Sequence, residues 1–164
     1  LSRHPADEDI KGPLLKSGGP SSFEGQDLIV HGSCVALGNA ALLILGPSGA
    51  GKSSLALQMM ALGAVLVADD RTVLRAHPEG GVYASCPAPI RGQIEARGIG
   101  ILEAASQISA KLSLVVDLSQ QETDRLPPRR FHSILGNDFE LVWGNDTAIF
   151  AAGLMQYLKG GRRA

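Results

Sequence analysis

The chain has 164 residues, enough for one domain with its own core, and 45% hydrophobic with 19% charged residues is the balance of a soluble globular protein. A formal net charge of -1 argues against a nucleic-acid binder, and no apolar run approaches the ~20 residues that span a bilayer. Cys34 and Cys86 are far apart in the chain and read as buried thiols rather than a disulfide, in keeping with a reducing cytoplasm.

Residues 1–25 are rich in Pro, Gly, Ser and charge with no sustained period, and read as a flexible polar arm. They open with neither an initiator Met nor a hydrophobic signal core, as expected of a piece of a longer chain. One domain is expected over 26–160. Residues 28–31 and 33–37 look extended, and Gly38-Asn39 is a tight-turn dipeptide leading into a buried strand over 40–45. Residues 53–60 read as a helix that Gly63 stops. A short apolar strand over 65–68 ends in Asp69-Asp70, and residues 72–76 and 82–86 flank a Pro78-Glu79-Gly80-Gly81 turn as a hairpin. Residues 94–102 are read as extended, 112–118 as a strand, and 131–135 with 139–143 as a hairpin about Gly136-Asn137-Asp138. A closing helix is expected over 147–158. Arg129-Arg130 and Arg162-Arg163 read as solvated surface. Several hairpins and few helices make a fully parallel sheet improbable and predict a mixed α/β fold.

Gly46-Pro47-Ser48-Gly49-Ala50-Gly51-Lys52-Ser53 fits G-x-x-x-x-G-K-[ST] at every fixed position, between the strand over 40–45 and the helix that follows. In such a loop the glycines let successive backbone N–H groups face inward on an anion, and the helix N-terminus adds donors and partial positive charge. Lys52 can then reach the outer phosphates, and the Ser53 hydroxyl can complete the shell of a Mg²⁺ that keeps most of its waters. These eight residues, with Ser54 behind them, form the candidate binding set for a nucleoside triphosphate or related polyphosphate.

Phosphoryl transfer also needs carboxylates, for the metal and for the nucleophile. Asp69 and Asp70 end the strand after the loop's helix, where ligands gather in open α/β sheets. One acid can take a substrate hydroxyl while the other serves the metal's water shell or a structural contact; an Asp pair capping a turn is the plainer alternative. In an extended 94–102, Glu95 and Arg97 share one face. They can act as metal ligand and phosphate clamp, or pair with each other across strands.

His31 with its strand-turn-strand, the 46–53 loop, the stretch from Gly63 to Val67-Ala68-Asp69-Asp70-Arg71, and Ile94-Glu95-Ala96-Arg97-Gly98-Ile99-Gly100-Ile101 together resemble the catalytic domain of HPr kinase/phosphorylase. The resemblance runs from about His31 to Leu102 and is weaker over 112–118. It implies a single P-loop domain of the HPr kinase and phosphoenolpyruvate carboxykinase type, with a mixed, strand-rich sheet, hairpins and few helices. It also implies a cytoplasmic bacterial protein-serine kinase that uses ATP and Mg²⁺ and acts on HPr, the small phosphocarrier of the phosphotransferase system. By resemblance, Lys52 contacts phosphates and Ser53 the Mg²⁺. Asp70 takes the proton of the HPr serine, Glu95 is a second metal-associated acid, Arg97 lies in the signature stretch, and His31 belongs to the active site. Asp69 joins Ser53 and Glu95 as a candidate metal residue. The family's large N-terminal domain and its basic loop linked to dephosphorylation have no counterpart in these residues. The chain looks most like the short α-proteobacterial forms, for which a nitrogen-related HPr is the implied target. Kinase activity is the expected direction and phosphorolysis is open. The family tends to form rings, so a homo-oligomer is also expected, with an apolar helix over 149–158 left exposed.

Two other functions compete. A nucleotide or small-molecule kinase shares the loop but would carry an Arg-bearing lid, whereas the basic residues here are scattered. A non-catalytic nucleotide-sensing regulator would keep the loop without needing both Asp70 and Glu95. An ABC-type ATPase and a GTPase are disfavoured by the lack of L-S-G-G-Q after the loop and of N-K-x-D.

Overall fold

In the computed structural model the described residues are 10–11 and 26–164; the arm expected over 1–25 lies outside them except for a two-residue strand, β1 (Ile10–Lys11). That strand adds antiparallel to β2 (Asp27–Leu37), Ile10 opposite Val30, where no strand is expected from composition. The two extended segments read on either side of Gly32 are the single strand β2. Gly32 is where its neighbour passes closest: a Cβ there would lie 2.7 Å from the Ile44 carbonyl oxygen, so a side chain would force the strands apart. Gly38-Asn39 then turns the chain into β3 (Ala40–Leu45), with Leu37 opposite Ala40.

Helix α1 (Lys52–Ala61) follows the glycine-rich loop and ends at Leu62, just before Gly63. Strands β4 (Val65–Ala68) and β5 (Arg71–Ala76) both run antiparallel to β2, with Ala68 opposite Cys34 and Arg71 opposite His31. They line the same side of β2, interrupted only by Asp69-Asp70. A hairpin leads to β6 (Val82–Ser85), which stops short of Cys86 because Pro87 follows.

Residues 94–102, expected as one extended run, instead fold into β7 (Gln93–Ala96) and β8 (Gly100–Glu103), a separate two-stranded ribbon. Gly98 at φ 80° and the Ile99 N–H donating to the Ala96 carbonyl make the reversal, so the glycines there serve a turn.

The remaining elements are β9 (Ser109–Gln121), β10 (Arg130–Ile134), β11 (Asn137–Gly144) and α2 (Phe150–Gly160). The last hairpin turns at Leu135-Gly136, one step earlier than expected, with Ile134 opposite Asn137. Both turn residues have positive φ, 49° and 79°, as a two-residue turn of this hand requires. Leu135 is held there by burial of its side chain.

Strand pairing closes on itself: β2 joins β5, β5 joins β6, β6 joins β9, β9 joins β3, and β3 returns to β2. Strands β3 and β11 flank β9 and run parallel to it, and β10 continues beyond β11. The fold is therefore a mixed, strand-rich α/β domain with two α-helices among the described residues. β3 alternates between two cores. Ala41, Leu43 and Leu45 face the inside of the ring with Leu28, Val30 and Leu74, while Leu42 and Ile44 pack outward against Leu55 and Met59 of α1. Each such fully buried Leu or Ile contributes about 1.5–3 kcal/mol relative to exposure. Helix α2, expected to expose its apolar face, buries Ala151, Leu154 and Met155 in the outer core, where α1 also packs; Ile149 just before it is well exposed.

Candidate active site

The loop between β3 and α1 follows from its sequence. Gly51 holds φ 97° and ψ 23°, a left-handed conformation open to glycine at little cost, and α1 begins at the next residue. No side chain caps this helix and no acidic residue stands in its first turn, so its leading N–H groups are left for an anion. Lys52 is buried, and its Nζ donates to the carbonyls of Gly46 at 2.6 Å and Pro47 at 3.0 Å. The loop thus folds around its own ammonium group.

A cleft opens on this loop, lined by Ser48, Gly49, Gly51, Lys52, Ser53 and Ser54 on one side and by His31, Ser33, Asp70, Glu95 and Arg97 on the other. Of the residues expected at the site, Gly46, Pro47, Ala50 and Asp69 do not line it. Gly46 and Pro47 act through the carbonyls that hold Lys52, and Ala50 faces a neighbouring cleft.

Asp69 lies beneath the cleft, buried and fully engaged. Its Oδ1 accepts hydrogen bonds from Ser33 Oγ and Ser53 Oγ, both at 2.7 Å, and its Oδ2 accepts one from the Glu95 backbone N–H at 3.0 Å. One carboxylate therefore joins β2, α1 and β7. Asp70 does the opposite and stands exposed at φ 68°, a conformation that Asp tolerates better than most residues. This kink between β4 and β5 turns two adjacent carboxylates to different tasks, Asp69 beneath the cleft and Asp70 on its wall. His31 Nε2 lies 2.9 Å from Asp70 Oδ1, its ring N–H donating to the carboxylate. The Gly32 N–H donates to the Asp70 carbonyl at 3.0 Å and so fixes the kink against β2.

Glu95 and Arg97 reach the cleft by different means. Glu95 sits on β7 opposite Ile101, while Arg97 occupies the turn of the ribbon, so the shared strand face expected for them does not exist. No ion pair between them forms part of the arrangement; both line the same cleft. The Asp69 bond to the Glu95 amide and the packing of buried Ile94 in the outer core hold the ribbon in place.

Two residues were not singled out from sequence. Ser33 is a fully buried hydroxyl in an otherwise apolar stretch of β2, and its polarity there was the available signal. Asp117 ends the apolar run Leu114-Val115-Val116 on β9, opposite Leu45 at the foot of the loop, where it accepts from the N–H and Oγ of Ser119. Nearby, burial pushes the Cys34 thiol far above its ordinary range and raises Cys86 as well; both are free, as expected.

Comparison with known proteins bears on the family and the fold. The model of the HPr Serine kinase C-terminal domain matches residues 25–136. The chain is 36% identical over 105 residues to an HPr kinase/phosphorylase of Caldanaerobacter subterraneus, covering 60% of this chain and 34% of that protein. It is 35% identical over 127 residues to an HPr kinase/phosphorylase of a Geobacillus species, covering 73% of this chain and 39% of that protein. The chain thus spans less than two-fifths of the length of these relatives. A solved structure of the Hpr(Ser) kinase/phosphatase from Coxiella burnetii superposes with a TM-score of 0.64 at 22% identity, covering 78% of this chain and 85% of that one, which supports the fold.

Proposed function

The chain belongs to the family of the HPr serine kinase C-terminal domain, and from that premise we propose that it is an ATP-dependent protein kinase that phosphorylates a serine of HPr. The observation that carries the reading is one cleft in which an uncapped helix start and Lys52 face Asp70, Glu95 and Arg97.

In this reading the residues from Gly46 to Ser54 form a P-loop that cradles the phosphates through backbone N–H groups. Lys52 exchanges its contacts with the Gly46 and Pro47 carbonyls for the outer phosphate oxygens, and Arg97 clamps the transferring group from the ribbon. Asp70 accepts the proton of the serine hydroxyl as its oxygen bonds to the terminal phosphorus; the bond to the bridging oxygen breaks and ADP leaves with that electron pair. His31 holds the Asp70 carboxylate toward the acceptor.

Mg²⁺, when bound, neutralises charge on the phosphate oxygens. Ser53 and Glu95 fit its preference for a few oxygen ligands plus water, and Asp69 orients Ser53 behind them. Among the described residues no group of three or more His, Cys, Asp or Glu stands ready as a metal cage, which suits an ion carried largely on the nucleotide. Likewise, no helix among them is long and apolar enough to cross a membrane.

The test offers the purified protein labelled ATP and Mg²⁺ with HPr, with nucleoside monophosphates, or with water alone. Label on HPr is the expected result. Label on a nucleotide and not on HPr would move the chain to the small-molecule kinases, and binding without transfer to any acceptor would make it a nucleotide sensor.

A further inference from the structure

Strand β9 departs from regular pairing just where the glycine-rich loop begins. Leu45, the last residue of β3, stands opposite Asp117, and Trp143 of β11 stands opposite the same residue on the other side. The next residue of β11, Gly144, is opposite Gln121, so Leu118, Ser119 and Gln120 bulge out of β9 between pairs that would otherwise be adjacent. A bulge bends its strand and loses ladder bonds, so its backbone groups need other partners. Asp117 supplies one. It is completely buried, and its Oδ1 accepts from the Ser119 N–H at 2.9 Å and from Ser119 Oγ at 2.7 Å. The carboxylate folds the bulge into a closed turn.

This bulge is wedged between two glycines. A Cβ on Gly46 would lie 3.3 Å from Leu118 Cβ and 3.6 Å from the Ser119 nitrogen. One on Gly144 would lie 3.2 Å from the Gln120 carbonyl oxygen and 3.4 Å from Leu118 Cα. Main chain packed this closely leaves little slack, so a shift of the bulge is passed to its neighbours. Gly46 is the neighbour that matters for the chemistry. It opens the loop, and its carbonyl holds Lys52 Nζ at 2.6 Å. A single path therefore runs from the Asp117 carboxylate through Ser119 and Gly46 to the ammonium group of the loop.

We propose that Asp117 is a positioning residue for phosphoryl transfer. By closing the bulge it sets the Gly46 carbonyl, and through that carbonyl it sets Lys52 against the outer phosphates of the donor. This rests on the loop being the phosphate site. Asp117 itself lies behind the loop and touches no reacting group.

Asp117→Ala, Asp117→Asn and Ser119→Ala in the whole chain test it, with rates and affinities measured well below the lowest melting midpoint. Misplaced loop groups make Asp117→Ala lose about 10–100-fold in kcat/KM for Mg²⁺-ATP and bind Mg²⁺-tripolyphosphate severalfold more weakly, with the KM for HPr unchanged. Asn keeps an oxygen for the Ser119 donors, so Asp117→Asn should return to within about threefold of the wild type. Ser119→Ala keeps the main-chain bond and should show a smaller loss in the same direction. Variants that melt at lower temperature yet bind tripolyphosphate and turn over ATP as the wild type does overturn the proposal, as does an Asn variant no better than Ala. If Asp117→Ala does not fold, Ser119→Ala decides, and wild-type affinity and rate in it are the contrary result. A wild type that binds no tripolyphosphate overturns the phosphate site itself, and the role of Asp117 with it.

Discussion

Ser53 and Asp69 are joined by a 2.7 Å hydrogen bond from the hydroxyl to Oδ1, which ties the first turn of α1 to the end of β4. The same carboxylate takes Ser33 Oγ and the Glu95 N–H, so the loop, the ribbon and β2 share one buried anchor. Asp69→Ala leaves a fully buried hydroxyl and a backbone amide without their acceptor. At ~1–3 kcal/mol for each stranded group, the expected loss is about 2–6 kcal/mol, read from urea unfolding. A loss under about 0.5 kcal/mol would show that the anchor does not hold these elements together.

His31 acts on the reaction through Asp70, whose Oδ1 it meets at 2.9 Å. His31→Ala should lower kcat about tenfold with little change in the KM for ATP, since the ring orients the acid rather than binding phosphate. His31→Gln, which can still donate a hydrogen bond, should recover part of the loss. A change confined to KM would place His31 in substrate binding instead.

Glu122 and Arg130 link the end of β9 to β10, and the Arg130 guanidinium also lies 3.5 Å from the Trp143 ring centroid. Partial burial pushes the Glu122 carboxyl up, but hydrogen bonds from the Asp124 and Thr123 N–H groups and the charge of Arg130 outweigh it and hold it below its ordinary 4.5. A depressed carboxyl stabilises the fold fully above its unfolded value and loses that contribution as pH falls through the folded one. Thermal melts from about pH 5 downward should therefore fall more steeply for the wild type than for Glu122→Gln. Parallel curves would contradict this.

How much of this was legible in the sequence depends on how local each feature is. The loop, its strand and its helix were, because Gly46 to Ser53 specify a backbone path and the 40–45 run a doubly buried strand. The turn at Gly38-Asn39 and the stop at Gly63 are equally local. The Glu95 and Arg97 region was misread: alternating Ile and Gly fit one extended strand as well as a hairpin, and only the Asp69 bond to the Glu95 amide, from 26 residues earlier in the chain, seats the ribbon. The Leu135-Gly136 turn was displaced because Leu rarely takes positive φ, and burial overrode that preference. The closed ring of strands and the cover over α2 depend on pairings between distant segments, such as β6 with β9, which no local pattern encodes. Asp69 and Asp70 were both recognised, but their division into a buried anchor and an exposed acid follows from the kink at Asp70.

The central claim is that Asp70 is the base for a hydroxyl brought to a nucleotide held on the loop, and Asp70→Asn tests it most directly. Asn tolerates the φ of 68°, keeps nearly the same shape and removes the charge. Phosphoserine on HPr, quantified by mass spectrometry after incubation with ATP and Mg²⁺, should fall by about 10²–10⁴ in rate, with ATP affinity held within about threefold. Transfer by Asp70→Asn at the wild-type rate would contradict the account.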